Sequence, residues 1–198
     1  MNLWEIESQC FAEGYGLICG VDEAGRGPLA GPVYAAAVIL PEGLRIEGLN
    51  DSKKLTEKKR EKLFDIICEK ALFYGVGFAS EKEIDEVNIL EATYLAMNRA
   101  IEAMGIVPDI ALIDGNRSRG IRFPNRCIVG GDGKSASIAA ASILAKVSRD
   151  RYMLKMAEDY PQYHFAKHKG YGTKLHYEAL QEFGPSPIHR LTFLKKMH

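Results

Sequence analysis

The sequence predicts an α/β protein in which helices cover a mixed β-sheet. Two kinds of apolar pattern indicate this class. Short apolar runs of strand length lie between glycines and prolines, and longer segments repeat apolar residues at helical spacing. Both kinds occur within 198 residues, a length typical of one domain with its own hydrophobic core. We therefore expect residues 1–198 to form a single domain.

Five short segments predict strands. The first two are apolar runs, one ending at Asp22 and the other bounded by Pro32 and Pro41. The third alternates with glycines, the fourth ends at Asp114, and the fifth is short. The strands are expected at residues 17–21, 33–40, 73–79, 109–113 and 127–129.

Four longer segments predict helices. Thr56 can cap a helix that runs to about residue 71. Apolar residues at helical spacing from Ile84 to Met104 predict one continuous helix that ends at Gly105. A nearly all-apolar start predicts a long buried helix over residues 135–160, and a last helix is expected over residues 173–183.

Charge and cysteine content exclude several classes of protein. Lys plus Arg and Asp plus Glu both number 26, so the chain does not hold polyanions by bulk charge. Residues 164–198 nevertheless carry six bases and two acids, a pattern that fits either a solvated surface or a phosphate-binding one. Four scattered cysteines form no C-x-x-C pair, and we find neither a signal peptide nor a membrane span. These features favour a cytoplasmic protein with reduced thiols.

Acidic residues follow the predicted strands at positions flanked by glycine. Asp22 and Glu23 come where the first strand ends, Asp114 ends the fourth, and Asp132 precedes the long buried helix. Functional groups of open α/β sheets gather beyond the carboxyl ends of strands. Carboxylates that meet there repel one another unless cations lie between them, and oxygen ligands of this kind suit Mg²⁺ or Mn²⁺. The alternative is that these acids only form turns and cap helices, as Asp commonly does.

Two glycine-rich segments imitate nucleotide-binding motifs without completing them. Residues 25–30 fit the dinucleotide fingerprint, but Gly31, Pro32 and a strand follow where that motif requires a helix. Residues 133–135 end like a P-loop, but position 128 is Ile where the motif requires Gly. Neither cofactor site is expected.

Several further segments fit one family together. The first is residues 20–28, which read G-V-D-E-A-G-R-G-P. The others, in order, are residues 49–55 (L-N-D-S-K-K-L), 84–89 (I-D-E-V-N-I), 112–115 (L-I-D-G), 131–132 (G-D), 137–150 and 168–173 (H-K-G-Y-G-T). In this order and spacing the chain resembles the ribonuclease HII family, the type 2 ribonucleases H. Arg26 favours type 2 over type 3, in which a lysine is usual.

The resemblance implies a ribonuclease H-like fold with a central five-stranded mixed sheet and a small, basic, helical C-terminal part from about residue 160. It implies an endonuclease that cuts the RNA strand of RNA–DNA hybrids and nicks 5′ to single ribonucleotides embedded in duplex DNA. Two ions of Mg²⁺ or Mn²⁺ would assist hydrolysis of the phosphodiester bond, which would leave a 3′-hydroxyl and a 5′-phosphate. No membrane association and no clamp-binding tail over residues 191–198 are expected, and the enzyme should be a monomer.

The resemblance also implies a role for each candidate residue. Catalysis and metal binding fall to four acids, and recognition of the 2′-hydroxyl to a glycine-rich loop, with a tyrosine against the sugar at the RNA–DNA junction. Glycine suits such a loop because its backbone approaches a sugar closely, and the 2′-hydroxyl distinguishes RNA from DNA. The acids are Asp22, Glu23, Asp114 and Asp132; the substrate-binding residues are Gly25, Arg26, Gly27, Lys53, Lys169 and Tyr171.

One departure and two alternatives accompany this interpretation. The family often has two arginines after the late histidine, whereas His189 and Arg190 are followed by Leu191, which questions one phosphate contact. A catalytically silent nucleic-acid-binding module would be one alternative, although all four acids are present. Another phosphoryl-transfer nuclease on the same fold would be the second, and cleavage of all-DNA duplex would distinguish it.

Overall fold

The computed structural model describes residues 3–195, which are built around a five-stranded mixed β-sheet. The strand order is β3-β2-β1-β4-β5, with β1 antiparallel to β2 and parallel to β4. This confirms the fold class and the sheet that the sequence predicts. The strands are β1 Ile18–Ala24, β2 Val33–Ile39, β3 Phe73–Ala79, β4 Ile110–Asp114 and β5 Asn125–Ile128.

Helices cover both faces of the sheet. Alternation along β2 directs Ala35 and Ala37 into one apolar cluster and Ala36 and Val38 into another. The first cluster is completed by α4, and the second by α5 and α2. The helices are α1 Glu5–Ala12, α2 Glu57–Lys70, α3 Glu81–Val87, α4 Ile89–Ala103, α5 Ala136–Asp159, α6 Phe165–His168, α7 Lys174–Phe183 and α8 Leu191–Leu194.

The helix predicted from Ile84 to Met104 as one piece is two helices, α3 and α4. Asn88 separates them with a φ of 74°, a left-handed conformation that Asn tolerates better than most residues. Its side-chain oxygen accepts hydrogen bonds from the backbone N–H groups of Leu90 and Glu91, which caps α4. The apolar spacing continues through this break, so periodicity alone could not reveal it.

Elements that the sequence analysis did not predict lie at the two ends of the chain. At the start, α1 buries Glu7 against the beginning of α5. After α5, the short helices α6 and α8 flank α7 and share an apolar cluster with Met153 of α5. Within residues 3–195, every helix is too short or too polar to cross a membrane.

Candidate active site

Strand register brings the predicted acids to one edge of the sheet. Val21 pairs with Ile113 across the parallel strands β1 and β4, so Asp22 and Asp114 follow side by side. β1 extends to Ala24, beyond the predicted end, which fixes Glu23 within the strand. Because side chains alternate along a strand, Asp22 and Glu23 point to opposite faces of the sheet.

Three carboxylates form a compact cluster. Asp22, Asp114 and Asp132 each offer an oxygen, and these oxygens lie within 4.8 Å of one another. Asp132 comes from a 3₁₀ turn just before α5, and the N–H of Gly131 in that turn donates to Asp114 Oδ1 at 2.7 Å. That hydrogen bond ties the turn to the end of β4. Glu23 lies outside the cluster but borders the same cavity as Asp22 and Asp114.

The electrostatics of the cluster favour a bound cation. Burial raises the pKa of Asp22 well above its usual value, and the charges of Glu23 and Asp114 raise it further. Burial and Asp114 likewise raise the pKa of Asp132. Burial also raises the pKa of Glu23 above its ordinary value, although Arg26 opposes the shift. Carboxylates in such surroundings gain from a positive partner.

Lysine 53 is a positive partner that this protein itself supplies. Lys53 Nζ lies 3.6 Å from Asp132 Oδ2. Burial works against its charge, but the carboxylates, led by Asp22 and Asp132, outweigh burial and raise the pKa of Lys53. The donor set of the three-carboxylate cluster is entirely oxygen, which fits Mg²⁺ or Mn²⁺ better than softer metals.

The predicted glycine loop and Tyr171 lie beside the carboxylates. A cavity of about 220 Å³ is bordered by Asp22, Glu23 and Asp114 on one side and by residues 25–27 and Tyr171 on the other. Gly25 has a φ of +95°, and a Cβ there would collide with the side chain of Arg149. A Cβ on Gly27 would lie 3.8 Å from the Tyr171 ring, so loop and ring face each other closely.

The structure gathers nearly all of the predicted residues. Asp132 lies next to the residues that line the cavity: its carboxylate is within 4.8 Å of those of Asp22 and Asp114, and its Oδ2 is 3.6 Å from Lys53 Nζ. Lys169 is the exception, because its Nζ donates to the carbonyl of Ala166 at 2.6 Å and the side chain does not border the cavity. The residues that line this cavity and were predicted are Asp22, Glu23, Gly25, Arg26, Gly27, Lys53, Asp114 and Tyr171.

Sequence reasoning missed several residues that border the site. Ser52, Lys146 and Arg149 line the same cavity, and all three fall within segments that fit the family pattern. Their position in those segments is the sequence signal that could have identified them. A second cavity, of about 250 Å³, lies on the other side of Glu23 and Asp114 and is bordered by Asn116 and Arg117. No motif marked these last two residues.

Comparisons with known proteins agree with this geometry. The family model of ribonuclease HII matches residues 19–197. Ribonuclease HII of Caldicellulosiruptor bescii is 58% identical over 196 residues, covering 99% of this chain and 95% of that protein. Ribonuclease HII of Endomicrobium trichonymphae is also 58% identical, over 97% of this chain and 92% of that one.

Solved structures show the same fold. Ribonuclease H2 of Pyrococcus horikoshii superposes with a TM-score of 0.73 at 31% identity, covering 89% of this chain and 93% of that one. Ribonuclease HII of Archaeoglobus fulgidus, solved in complex with PCNA, gives 0.76 at 26% identity, covering 89% and 94%. The chain therefore belongs to the ribonuclease HII family and is a hydrolytic endonuclease that acts on the RNA of RNA–DNA hybrids.

Proposed function

We propose that this enzyme hydrolyses the phosphodiester on the 5′ side of a ribonucleotide, leaving a 3′-hydroxyl and a 5′-phosphate. Its substrates would include duplex DNA with single embedded ribonucleotides as well as RNA–DNA hybrids, and its task would be to remove ribonucleotides from DNA. One observation carries the proposal. The carboxylate cluster borders the same cavity as Tyr171 and the glycine loop of residues 25–27.

The acids Asp22, Glu23, Asp114 and Asp132 would hold two ions of Mg²⁺ or Mn²⁺. Asp22, Asp114 and Asp132 already present oxygens within 4.8 Å of one another, and burial disfavours the charge of Asp22 and of Asp132 without a cation. When bound, such ions would stabilise the attacking and leaving oxygens of the phosphodiester. The protein's own contribution is placement, because β1, β4 and the turn before α5 fix the carboxylates before substrate arrives.

Discrimination between RNA and DNA would fall to the loop of residues 25–27 and to Tyr171. Without a Cβ, the main chain at Gly25 and Gly27 can approach a ribose closely enough to bond its 2′-hydroxyl. The Tyr171 ring is 45% exposed and faces Gly27 across the cavity. A ring packed there on the next sugar would leave no room for a second hydroxyl.

Basic side chains around the cavity would hold the phosphates. Arg26 and Lys53 line the cavity beside the acids. Lys169 would have to leave the Ala166 carbonyl before it could reach a phosphate, so its role stays a prediction.

We further propose that residues 1–198 form one unit that acts as a cytoplasmic monomer. Packing of α7 on the same apolar cluster as Met153 of α5 supports a single unit. Residues 191–198 carry no clamp-binding motif, so we expect no clamp complex through this segment. Its last three residues lie outside the described part of the chain.

The decisive experiment uses two labelled duplexes, one of DNA alone and one with a single ribonucleotide. Each is incubated with the enzyme in Mg²⁺, in Mn²⁺ and in chelator. We expect one metal-dependent nick 5′ to the ribonucleotide and an intact all-DNA duplex. Asp114→Asn should abolish the nick but keep binding, whereas Asp65→Asn, at an exposed acid on α2, should cut normally.

Three outcomes would contradict the proposal. Cleavage in chelator would show that the reaction needs no metal ion. Cleavage of the all-DNA duplex would favour a general nuclease. A fully active Asp114→Asn variant would show that the carboxylate cluster does not carry the chemistry.

A further inference from the structure

Two buried arginines lie beneath the predicted recognition loop, outside the catalytic carboxylates. Arg149 is 1% exposed and Arg190 is 0% exposed, and they are the largest fully buried side chains of the described residues. Arg149 comes from α5 and Arg190 precedes α8, so the two approach the loop from different elements.

Arg190 binds the main chain of the loop at three points. Its guanidinium donates to the carbonyls of Gly25 at 2.6 Å, Arg26 at 2.9 Å and Gly31 at 2.8 Å. Its own N–H donates to the carbonyl of Leu29 at 2.9 Å. Arg190 is thus bound to the main chain of residues 25–31.

Arg149 connects residues 30–32, which follow the loop in the chain, to the segment that carries Tyr171. Its guanidinium donates to the carbonyls of Ala30 and Pro32 at 3.0 and 3.1 Å, and to the carbonyl of Lys169 at 2.9 Å. The same guanidinium lies 5.9 Å from the centre of the Tyr171 ring. One side chain therefore touches both walls of the cavity.

Burying the two arginine side chains has a cost in free energy. Within residues 3–195, neither guanidinium has a carboxylate at ion-pair distance, and their charges repel each other. Burial, with the charge of Arg149, lowers the pKa of Arg190 to about 9. A buried charge without a counter-charge is costly, and leucine would fill such space at a lower cost. In return the two guanidinium groups make six hydrogen bonds to main-chain carbonyls, five of them in residues 25–32 and one at Lys169.

We propose that Arg149 and Arg190 are positioning residues for ribose recognition, which fix the distance between the loop of residues 25–27 and Tyr171. This inference rests on the proposed function, because it assigns the reading of the 2′-hydroxyl to that gap. Neither arginine needs to touch the substrate. Lysine at either position cannot reproduce the planar fork of arginine, which spans several carbonyls.

The test measures binding preference rather than cleavage. Every protein carries Asp114→Asn, and dissociation constants are measured for a duplex with one ribonucleotide and for the all-DNA duplex. We expect Arg190→Lys and Arg149→Lys to reduce the preference for the ribonucleotide about ten-fold, the usual scale for lost charged hydrogen bonds. Affinity for the all-DNA duplex should stay unchanged, because neither arginine touches the substrate.

Two controls separate positioning from general damage. Arg126→Lys alters an arginine that pairs with Glu13, the residue after α1, away from the loop, and should keep the full preference. Calorimetric titration of Mn²⁺ into the arginine variants with Asp114 intact should give the affinity of the parent protein. Normal Mn²⁺ binding would establish that the carboxylate cluster, and therefore the fold around it, is preserved.

Each alternative outcome has a distinct meaning. Arginine variants that keep the preference, or lose affinity for both duplexes equally, would overturn the inference. Loss of Mn²⁺ binding in both lysine variants would also overturn it, since the arginines would then support the whole site. If the parent protein itself shows no preference, the proposed function fails before the arginines are tested.

Discussion

Three buried histidines behind Tyr171 predict a loss of stability between pH 7 and pH 5. His176 Nδ1 lies 2.9 Å from the carbonyl of Tyr171, so this nitrogen donates. His176 Nε2 must then accept from His189 Nε2 at 2.9 Å, and His189 Nδ1 accepts from the N–H of Ser186. His168 donates to the carbonyl of Tyr163 and accepts from the N–H of Gly170. Every ring nitrogen is therefore used by the neutral form.

The size of the effect follows from the pKa values. Burial, with the neighbouring His176, lowers the pKa of His168 and of His189 from 6.5 to about 4. As the pH falls, the unfolded chain takes up these protons first, so stability is complete above pH 6.5 and is lost down to about pH 4. For one such histidine the loss between pH 7 and pH 5 is about 2 kcal/mol. That is a large share of a typical unfolding free energy of about 5–15 kcal/mol.

The assay compares urea unfolding of the parent protein with that of His168→Gln at pH 7, 6 and 5. The glutamine amide can still donate to the carbonyl of Tyr163, but it takes up no proton. The stability difference between the two proteins should shrink by about 2 kcal/mol from pH 7 to pH 5. Comparing the two proteins removes the contribution of Asp22, Glu23 and Asp132, whose raised pKa values act in the opposite sense.

A matched variant and a direct titration decide whether the reasoning holds. Gln162→Ala alters an exposed side chain that takes up no proton, so its stability difference from the parent should not depend on pH. A constant difference for His168→Gln across the series would refute the argument. A pKa of 6.5 or more for His168, measured by NMR in the folded protein, would refute it independently.

Three further substitutions test other contacts. Glu7 accepts hydrogen bonds from two serines at the start of α5, next to the turn that carries Asp132. Glu7→Ala should therefore lower the free energy of urea unfolding by about 2 kcal/mol. It should also weaken the binding of Mn²⁺ measured by calorimetry. Glu5→Ala, exposed on the same helix, should change neither quantity. Gly20→Ala should cost about 3 kcal/mol or more, since its Cβ would collide with the main chain of Ser137, and an unchanged urea midpoint would disprove this close approach. Asn88→Ala should lower the free energy of unfolding, measured by thermal unfolding, by about 1–2 kcal/mol. Asn88→Gly should lower it less, because glycine loses the cap but accepts the positive φ as Asn88 does. Equal losses for the two variants would contradict this account.

Signals confined to one segment made much of the fold predictable. β3 lies at residues 73–79 as predicted, and Thr56 caps α2 where its side chain was expected to do so. The same holds for Ser135, which begins the long helix α5, and for Asp114, which ends β4. In each case the deciding chemistry, a cap or an apolar run, lies within a few residues of the boundary.

Contacts between distant segments could not be predicted in this way. Glu7 meets the start of α5 across about 130 residues, and Arg190 reaches the carbonyl of Gly25 across 165. The partners of Arg190 are backbone groups, which look the same at every position of a sequence, and those of Glu7 include serine hydroxyls, which mark no particular partner. The break at Asn88 was hidden for a related reason, because apolar spacing continues through a residue whose own backbone conformation carries the information.

Charge counting along the sequence also could not locate the nucleic-acid surface. The basic surplus of the C-terminal part is partly internal, since Arg190 is buried and Lys169 is turned onto a carbonyl. Around the cavity, three cations lie near acids: Arg26 Nη1 is 3.5 Å from Glu23, Lys53 Nζ is 3.6 Å from Asp132, and Lys146 Nζ is 2.7 Å from Asp150. Arg149, which also lines the cavity, is bound to main-chain carbonyls instead. Most of the positive charge around the cavity is therefore already shared with groups of the protein. A phosphodiester entering it must compete with these carboxylates for the same cations, so close geometric fit rather than bulk attraction has to supply the recognition.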